Sequence, residues 1–330
     1  MATSYRELHR RMAPDIAAER AAALDLLGPR TPELRSVVAR LLDDRTFKSP
    51  LSVLPLLVHG AETGVPDPAL PLAAVHDLWW TSACWMDDLA DTGGAYTVGG
   101  LDPSDALLAA VITGTPLPLL VVQSARVPEP LRGVLSREIV TCWVRATEGQ
   151  LRDLHGVSSR VTREAVAEAY AAKSGAPFSM VTAMAAQLAG APGDRVERWR
   201  EFGVVLGILW QILNDQDDIL SGRNEDLDNG TVTYLLACAY DAADPESARR
   251  LPQVHGAARD SPAAREELAG LLLSPAALQL YEQSVAGFRD RALTLLDETG
   301  GDPPYRSALG DLLRESARVL LRPGLRLTPA

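Results

Sequence analysis

Apolar residues recur at helical spacing in nearly every long segment of this 330-residue chain, and the two-residue alternation of a half-buried β-strand is almost absent. Breaker clusters such as TGVPDP, GAPGD and TGGDPP separate the segments. About ten helices joined by loops of this length predict one all-α domain over residues 1–330. The predicted helical segments are Pro32–Leu42, Leu70–Asp91, Asp105–Ala125, Leu131–Leu154, Thr162–Leu188, Arg195–Leu220, Thr233–Ala242, Ala263–Leu272 and Pro275–Thr299.

Charge and composition argue against several classes of partner. The net charge is −11 and no Lys/Arg run forms a basic stripe, so we expect no nucleic-acid partner. The cysteines Cys84, Cys142 and Cys238 lie far apart, without the spacing of a disulfide framework or a zinc site. The N-terminus is typical of an amphipathic helix rather than a signal peptide. Since no apolar run reaches the ~18 residues of a membrane span, we expect a cytoplasmic protein without stable membrane insertion.

An acidic cluster ends the apolar segment Leu70–Asp91. The stretch CWMDDLAD contains Asp87, Asp88 and Asp91, which span about 100° of one face because an α-helix turns ~100° per residue. Three crowded carboxylates repel one another, and a hard cation such as Mg²⁺ relieves that repulsion. The turns before the cluster, HDLWWTSACWM, are largely apolar, which distinguishes it from an ordinary solvated acidic face.

A second cluster repeats this design in GILWQILNDQDDIL. Asn214, Asp215 and Asp218 have the same spacing and again follow an apolar run. Two oxygen clusters on two helices can face each other across a cavity and hold several Mg²⁺ ions. A diphosphate, whose charge those ions would neutralise, is the natural ligand of such a site.

Several motifs of this sequence occur in the same order as in the trans-isoprenyl diphosphate synthases, or polyprenyl synthetases, and their relatives, which the sequence therefore resembles. DDLAD and NDQDD are similar to the first and second aspartate-rich motifs of that superfamily. EGQLRDL matches a Gly-Gln-x-x-Asp helix with Gln150 and Asp153. AAKSGAPFS matches a Lys-Thr-Gly motif with Lys173 and with Ser174 in place of Thr, and WQILNDQDD matches an aromatic-Gln-Ile lead-in with Gln211.

The resemblance covers about residues 35–325 and implies the isoprenoid synthase fold, a single bundle of about ten or more helices around a central cavity. It also implies three Mg²⁺ ions with bound diphosphate, an allylic prenyl diphosphate substrate and a homodimer. The implied metal ligands are Asp87, Asp88, Asp91, Asn214, Asp215 and Asp218. The implied catalytic residues are Lys173, Ser174, Gln211 and Gln150. The expected substrate contacts are Trp79, Trp80, Ser82, Ala83, Trp85, Asp153, Phe178 and Trp210.

The chain departs from the superfamily where chain-elongating members bind isopentenyl diphosphate. DDRTFKSP stands where a Gly-Gly-Lys-Arg-x-Arg-Pro segment is expected, and TGGAYTVGG stands where an Arg pair follows the first motif. Thr231 and Val232 occupy the Gly-Lys-x-Thr segment after Gly230, which therefore has no lysine. A buried diphosphate without cations is costly. These losses predict an enzyme that ionises one allylic diphosphate and cyclises it, a class I terpene synthase.

The residues before the first motif predict the length of the substrate. Ser82 and Ala83 are small, and Trp79 and Trp80, one turn further from Asp87, would form the pocket floor. We therefore expect a C20 prenyl diphosphate as the substrate, with a C15 prenyl diphosphate as the second choice. Tryptophan faces near the acidic motifs could also stabilise a migrating cation.

Three other functions are compatible with the sequence. The allylic group could pass to a non-isoprenoid acceptor such as an indole, a sugar phosphate or a hydroxyl. It could pass to isopentenyl diphosphate in ordinary chain elongation with rebuilt contacts. Arg145, Arg152 and Arg223 could substitute for the missing Arg pair in holding the allylic diphosphate. The chain could also be a non-enzymatic regulatory subunit, although five of the six motif positions are still acidic and the sixth is Asn.

Overall fold

The structure, a computed structural model, describes residues 4–44, 50–91, 101–155 and 161–323, without the side chains of residues 44, 50, 90, 91 and 155. Every regular element within these ranges is helical, which confirms the all-α prediction. The helices are α1 Tyr5–Asp25, α2 Pro32–Asp44, α3 Leu54–Thr63, α4 Leu70–Asp91, α5 Pro103–Gly114, α6 Pro116–Gln123, α7 Glu129–His155, α8 Arg163–Tyr170, α9 Ala176–Leu188, α10 Gly193–Ser221, α11 Glu225–Asn229, α12 Tyr234–Ala242, α13 Pro245–Ala258, α14 Pro262–Leu272, α15 Pro275–Thr299 and α16 Pro303–Ser316. A π-helical turn, Ala171–Gly175, joins α8 to α9.

The predicted segment Asp105–Ala125 is two helices rather than one. The break falls at Thr115, which has φ −127° and ψ −62°, outside the helical region. Pro116 causes the break, because proline lacks the N–H of the helical ladder and disfavours helical geometry in the residue before it. The same proline then starts α6, where its missing N–H costs nothing.

Contacts between Cα atoms group the chain into two compact units. The first unit comprises Met1–Val144, Pro177–Gly203 and Leu295–Leu312. The second unit comprises Arg145–Ala176, Val204–Thr294 and Leu313–Ala330. A single domain over residues 1–330 stays a prediction.

In the first unit α4 packs against α1, α3, α5 and α6, and most of its side chains are buried. His76 on α4 is 1% exposed, and its Nδ1–H donates to the carbonyl of Leu51 at 3.2 Å. The imidazole meets Trp80 and Phe178 edge-on, with ring centroids 6.1 and 5.8 Å away. Burial lowers the pKa of His76 to about 4, so the ring is neutral at pH 7.

In the second unit α12 packs against α8 and α14, and α13 packs against α14. Gln216, the central residue of NDQDD, is fully buried and joins α10 to the segment after α16. Its Nε2 donates to the carbonyl of Arg318 at 3.0 Å, and its Oε1 accepts the N–H of Leu320 at 2.7 Å. This motif position therefore has a structural role.

One stretch of the described residues, Pro103–Gln123, meets the length and hydropathy criteria of a membrane span, with a mean hydropathy of 1.8. This differs from the expectation that no apolar run is long enough. The stretch consists of α5 and α6, and half of it is buried. Core helices of soluble proteins meet the same criteria, so the finding is weak evidence for a membrane span.

Candidate active site

The first aspartate motif lies at the end of α4. Asp87 and Asp88 are partly buried, and Asp91 is the last residue of the helix, with its side chain outside the described part. Three turns of helix separate Asp87 from His76, a rise of about 16 Å at ~1.5 Å per residue. Ala83 and Trp80, which lie between them on α4, are both partly exposed.

The two tryptophans predicted to form one pocket floor have different neighbours. Trp79 is 1% exposed and stacks at a tilt on Trp143, with ring centroids 4.8 Å apart. Trp80 instead meets Phe178 edge-on at 5.5 Å. Trp80 and Phe178, both predicted substrate contacts, thus lie together, and Trp79 belongs to the packing between α4 and α7. Trp85 is fully buried.

Ser82 is placed differently from its predicted role in substrate binding. Its side chain is 0% exposed, and its hydroxyl donates to the carbonyl of Ala110 at 2.6 Å. A Cβ at Gly114 would collide with this side chain, so the glycine permits the close approach of α4 and α5. Small size at position 82 is explained by helix packing.

The second aspartate motif lies near the end of α10 in the second unit. Asp215 is 6% exposed and Asp218 is 4% exposed. Asn214 is partly exposed, and Asp217 is exposed. The burial pattern matches the predicted helix face, on which Asn214, Asp215 and Asp218 lie together and Asp217 points away.

Both carboxylate oxygens of Asp215 have protein donors. Gln211, one turn earlier on α10, donates its Nε2–H to Oδ1 at 2.9 Å. Tyr170 donates its hydroxyl to Oδ2. Ser174 in the π-turn donates its hydroxyl to Oε1 of Gln211 at 2.6 Å. The predicted residues Ser174, Gln211 and Asp215 therefore form one hydrogen-bonded chain.

Asp218 is held by the backbone that follows its helix. Its Oδ1 accepts the N–H of Glu225 at 3.1 Å, and its Oδ2 accepts the N–H of Asp226 at 3.2 Å. The guanidinium of Arg223 lies 3.8 Å from Oδ1. Of the arginines proposed as substitute cations, Arg223 is thus next to a motif carboxylate and also lies 3.4 Å from Glu225. Arg152 pairs with Glu148 at 3.0 Å.

Lys173 and Asp153 form an ion pair of 2.6 Å, with each side chain about one-fifth exposed. Two glycines make room for this part of the π-turn. A Cβ at Gly149 would overlap the backbone nitrogen of Lys173, and one at Gly207 would overlap the carbonyl of Ser174. These glycines therefore fix where α7 and α10 meet the turn that carries Lys173 and Ser174.

Negative charge exceeds positive charge around Asp215. Burial raises the pKa of Asp215 to about 7. Burial and the carboxylates of Asp215, Asp218 and Asp153 raise the pKa of Asp226 to about 8, and Lys173 opposes the rise. The pKa of Tyr170 lies well above 10 because of burial and the charge of Asp215, so its hydroxyl remains a proton donor.

The donor set fits a hard divalent cation. Asp215 and Asp218 supply carboxylate oxygens, each with lone pairs beyond those used by its protein donor. Within the described ranges no group of three or more His, Cys, Asp or Glu side chains forms a complete metal site. Mg²⁺ does not need such a site, because it is usually bound by one or two carboxylates together with substrate phosphates and water.

Sequence reasoning missed Tyr170 and Asp226. Tyr170 has no motif of its own, and only its position three residues before Lys173 connects it to the site. Asp226 lies in DLDNG, where several acids gave no reason to choose one. The remaining predicted residues, Gln150 and Trp210, are partly exposed, on α7 and α10.

Comparison with known proteins relates this geometry to a family. The family model described as "Polyprenyl synthetase" matches residues 117–272, which include the second motif and Lys173 but not the first motif. Nonaprenyl diphosphate synthase of Mycobacterium tuberculosis is 29% identical over 188 residues, 54% of this chain and 55% of that protein. The match thus spans about half the length of the curated relative. Residues 117–272 are thus similar to the polyprenyl synthetases.

Solved structures show that the isoprenoid synthase fold was predicted correctly. Decaprenyl diphosphate synthase from Rhodobacter capsulatus has a TM-score of 0.78 at 20% identity, over 95% of this chain and 98% of that one. Geranylgeranyl pyrophosphate synthase from Corynebacterium glutamicum, complexed with calcium and isoprenyl diphosphate, has a TM-score of 0.77 at 20% identity, over 94% and 96%. The proteins in these comparisons are named as prenyl diphosphate, or pyrophosphate, synthases.

Proposed function

We propose that the chain is a divalent-metal-dependent prenyltransferase, which takes the allylic group of a prenyl diphosphate and passes it to an acceptor. The observation that carries this proposal is the hydrogen-bonded chain Ser174–Gln211–Asp215 beside the ion pair of Lys173 and Asp153. It joins a cation, a metal-ligating carboxylate and two neutral dipoles within the segment that matches the polyprenyl synthetases.

The charged residues would bind the diphosphate. Lys173 carries a fixed positive charge, and Asp153 orients its ammonium group. Asp87, Asp88 and Asp91 on α4, and Asn214, Asp215 and Asp218 on α10, would hold Mg²⁺, of which we expect three ions. When bound, Mg²⁺ neutralises the diphosphate and makes it a better leaving group.

The neutral residues would stabilise positive charge at the allylic carbon. The Ser174 hydroxyl donates a hydrogen bond to Oε1 of Gln211, so the lone pairs of the hydroxyl oxygen remain for a developing cation. Fixed dipoles in a buried site act without reorganising during the reaction. Ser174 is 4% exposed, so little water competes with it. We assign Gln150 to the same site from the superfamily motif alone.

Two observations favour different acceptors for the allylic group. The relatives are named for prenyl diphosphate products, which favours isopentenyl diphosphate. The missing basic residues in TGGAYTVGG and around Gly230 favour an acceptor without a diphosphate, or cyclisation with no acceptor at all. We propose isopentenyl diphosphate first, because Arg223 beside Asp218 supplies one cation close to the second motif. Cyclisation is the second candidate.

Chain length and assembly complete the proposal. We propose a C20 substrate, with C15 next, and a pocket that extends along α4 towards Trp80 and Phe178. We also propose a homodimer. Support comes from apolar side chains that α5 and α7 expose, among them Leu108 at 64% and Val144 at 67%.

The test is incubation of the purified protein with Mg²⁺ and C15 or C20 allylic diphosphate, with and without isopentenyl diphosphate. Mass spectrometry would follow longer diphosphates in the aqueous phase and hydrocarbons or alcohols in a hexane extract. We expect a longer diphosphate only when both substrates are present. A terpene made from the single substrate would refute prenyl transfer and establish the cyclase. The absence of product in both phases would refute cyclisation and transfer to isopentenyl diphosphate, and would leave transfer to an acceptor without a diphosphate.

Substitutions at the motifs provide the controls. Asp87→Ala and Asp215→Ala should abolish turnover by removing metal ligands. Asp217→Ala removes an exposed carboxylate from the same stretch of α10 and should leave turnover within about twofold, as expected for a surface substitution. Equal loss in all three variants would contradict the assignment of the motif face.

A further inference from the structure

Tyr170 connects the second aspartate motif to two other elements. It is the last residue of α8, directly before the π-turn, and its side chain is 5% exposed. Its hydroxyl donates to Oδ2 of Asp215 and accepts the backbone N–H of Tyr234 at 3.0 Å. One phenol thus ties the carboxylate on α10 to the first residue of α12.

Chemistry fixes which group donates and which accepts in each of these hydrogen bonds. A phenol has a single O–H, and the Tyr234 N–H can only donate, so the phenol proton goes to Asp215. Gln211 holds the other oxygen of the same carboxylate at 2.9 Å. Two donors from different elements therefore set both the position and the plane of the carboxylate, and each oxygen retains lone-pair capacity for another partner.

We propose that Tyr170 is a positioning residue for metal binding: it holds the Asp215 carboxylate in the orientation that ligates the divalent cation. The inference rests on the proposed function, in which Asp215 is a metal ligand. Hydrogen bonds to a ligating carboxylate orient it, and their loss typically costs 10–100-fold in metal affinity or activity. Without Tyr170, the carboxylate would have to be ordered during metal binding.

The chain contains a matched control for a buried phenol. Tyr281 on α15 lies in the same unit and is 1% exposed, but its hydroxyl donates to the backbone carbonyl of Ile212 at 3.3 Å. Tyr281→Phe and Tyr170→Phe each remove one buried hydroxyl. Only Tyr170→Phe removes a donor from Asp215, so the pair separates positioning from general packing.

The experiment measures metal binding without turnover. Mg²⁺ is titrated in the presence of inorganic pyrophosphate, and the rise in melting temperature is recorded for the wild type and both variants. We expect Tyr170→Phe to need about 10–100-fold more Mg²⁺ for half of the full rise. We expect Tyr281→Phe to match the wild type within about twofold. High Mg²⁺ should restore most of the turnover of Tyr170→Phe.

The outcomes separate the inference from the proposed function. A wild type that does not respond to Mg²⁺ and pyrophosphate overturns the proposed metal site, and the inference with it. A responsive wild type with an equally responsive Tyr170→Phe overturns the inference alone. Turnover of Tyr170→Phe that stays low at saturating Mg²⁺ also overturns it, because positioning for the metal is then not the role of the phenol.

A measurement on the wild type covers the case in which Tyr170→Phe does not fold. The amide of Tyr234 bonds to the Tyr170 hydroxyl, whereas the amide of Leu236 bonds to the side chain of Thr233 at 3.2 Å. Mg²⁺ with pyrophosphate should slow hydrogen exchange at Tyr234 more than at Leu236. Equal slowing, or none at Tyr234, would contradict a link from the metal through Asp215 to Tyr170.

Discussion

Lowering the pH from 7 to 5 should destabilise the first unit by about 2 kcal/mol through His76 alone. In the unfolded chain this imidazole has the ordinary pKa of 6.5, whereas burial lowers it to about 4 in the fold. Between these values the unfolded state binds more protons, so stability falls as the pH drops. The stability that the neutral His76 allows is fully present above pH 6.5 and is lost as the pH falls through 4.

The magnitude follows from the two pKa values. At pH 5 the proton-binding polynomial of His76 is about 30 times larger in the unfolded state than in the folded state. This ratio lowers the free energy of unfolding by RT ln 30, or about 2 kcal/mol at RT ≈ 0.59 kcal/mol. At pH 7 the destabilisation from His76 is only about 0.2 kcal/mol. His76 is 1% exposed, so solvent screening does not reduce the effect. The aromatic rings of Trp80 and Phe178 offer the imidazolium no counter-charge.

The assay is urea unfolding at pH 7, 6 and 5, followed by tryptophan fluorescence, for the wild type and His76→Gln. Trp80 is in ring contact with His76 and reports on its surroundings. Glutamine does not titrate, so the variant should lose about 2 kcal/mol less than the wild type between pH 7 and 5. Asp77 and other groups titrate in both proteins and cancel. Equal losses in both proteins would refute the reasoning.

Two further predictions concern the active site. Gly149→Ala places a methyl group against the backbone of Lys173, and should cost about 1–3 kcal/mol of stability and at least tenfold in kcat. Gly133→Ala, in open space on the same helix, should instead raise stability by about 0.5–1 kcal/mol and leave kcat unchanged. Calorimetry and steady-state kinetics check this, and equal effects at both glycines would contradict it. Trp80→Ala should lengthen the longest substrate or product that mass spectrometry detects, and Trp79→Ala should not; the reverse result would place Trp79 in the pocket instead.

Helix positions were largely predictable from the sequence. The observed α4 and α15 have the predicted ends, because apolar periodicity and breakers agree there. Sequence reasoning did not assign α3, α11, α13 or α16. The residues 54–61 of α3 are all buried, so α3 lacks the one-sided apolar pattern of an amphipathic helix, and the other three contain many charged residues. At Thr115 the periodicity continued through Pro116, and backbone chemistry overrode it.

The candidate site was predictable where residue spacing encodes geometry. The face shared by Asn214, Asp215 and Asp218 follows from helical spacing, and burial agrees with it. The contact of Tyr170 did not follow, because Tyr170 approaches Asp215 from α8, whereas Gln211 lies one turn before Asp215 on the same helix. Pairing across elements depends on tertiary packing, which local periodicity does not describe.

The substrate predictions depended on what the sequence lacks. Missing cations led to the prediction of a terpene cyclase, whereas we propose prenyl transfer because the chain is similar to a protein named as a prenyl diphosphate synthase. The absence of a lysine after Gly230 shows only that one known contact is gone. Arg223, placed beside Asp218 by the turn after α10, was one of three candidate cations in the sequence, and the fold distinguishes it from Arg152.

The π-turn Ala171–Gly175 has a consequence for how this sequence tolerates change in length. A π-turn holds one residue more than the α-helical turn it replaces. Deleting Ala172 would therefore let α8 run into α9 as one regular helix, with every hydrogen bond of the ladder intact. That helix would rotate Tyr170 by about 100° relative to Ser174. The same rotation would turn the buried side chains of α8, which packs against α12. A deletion here would therefore break the link from Tyr170 through Asp215 and Gln211 to Ser174 and would also cost stability.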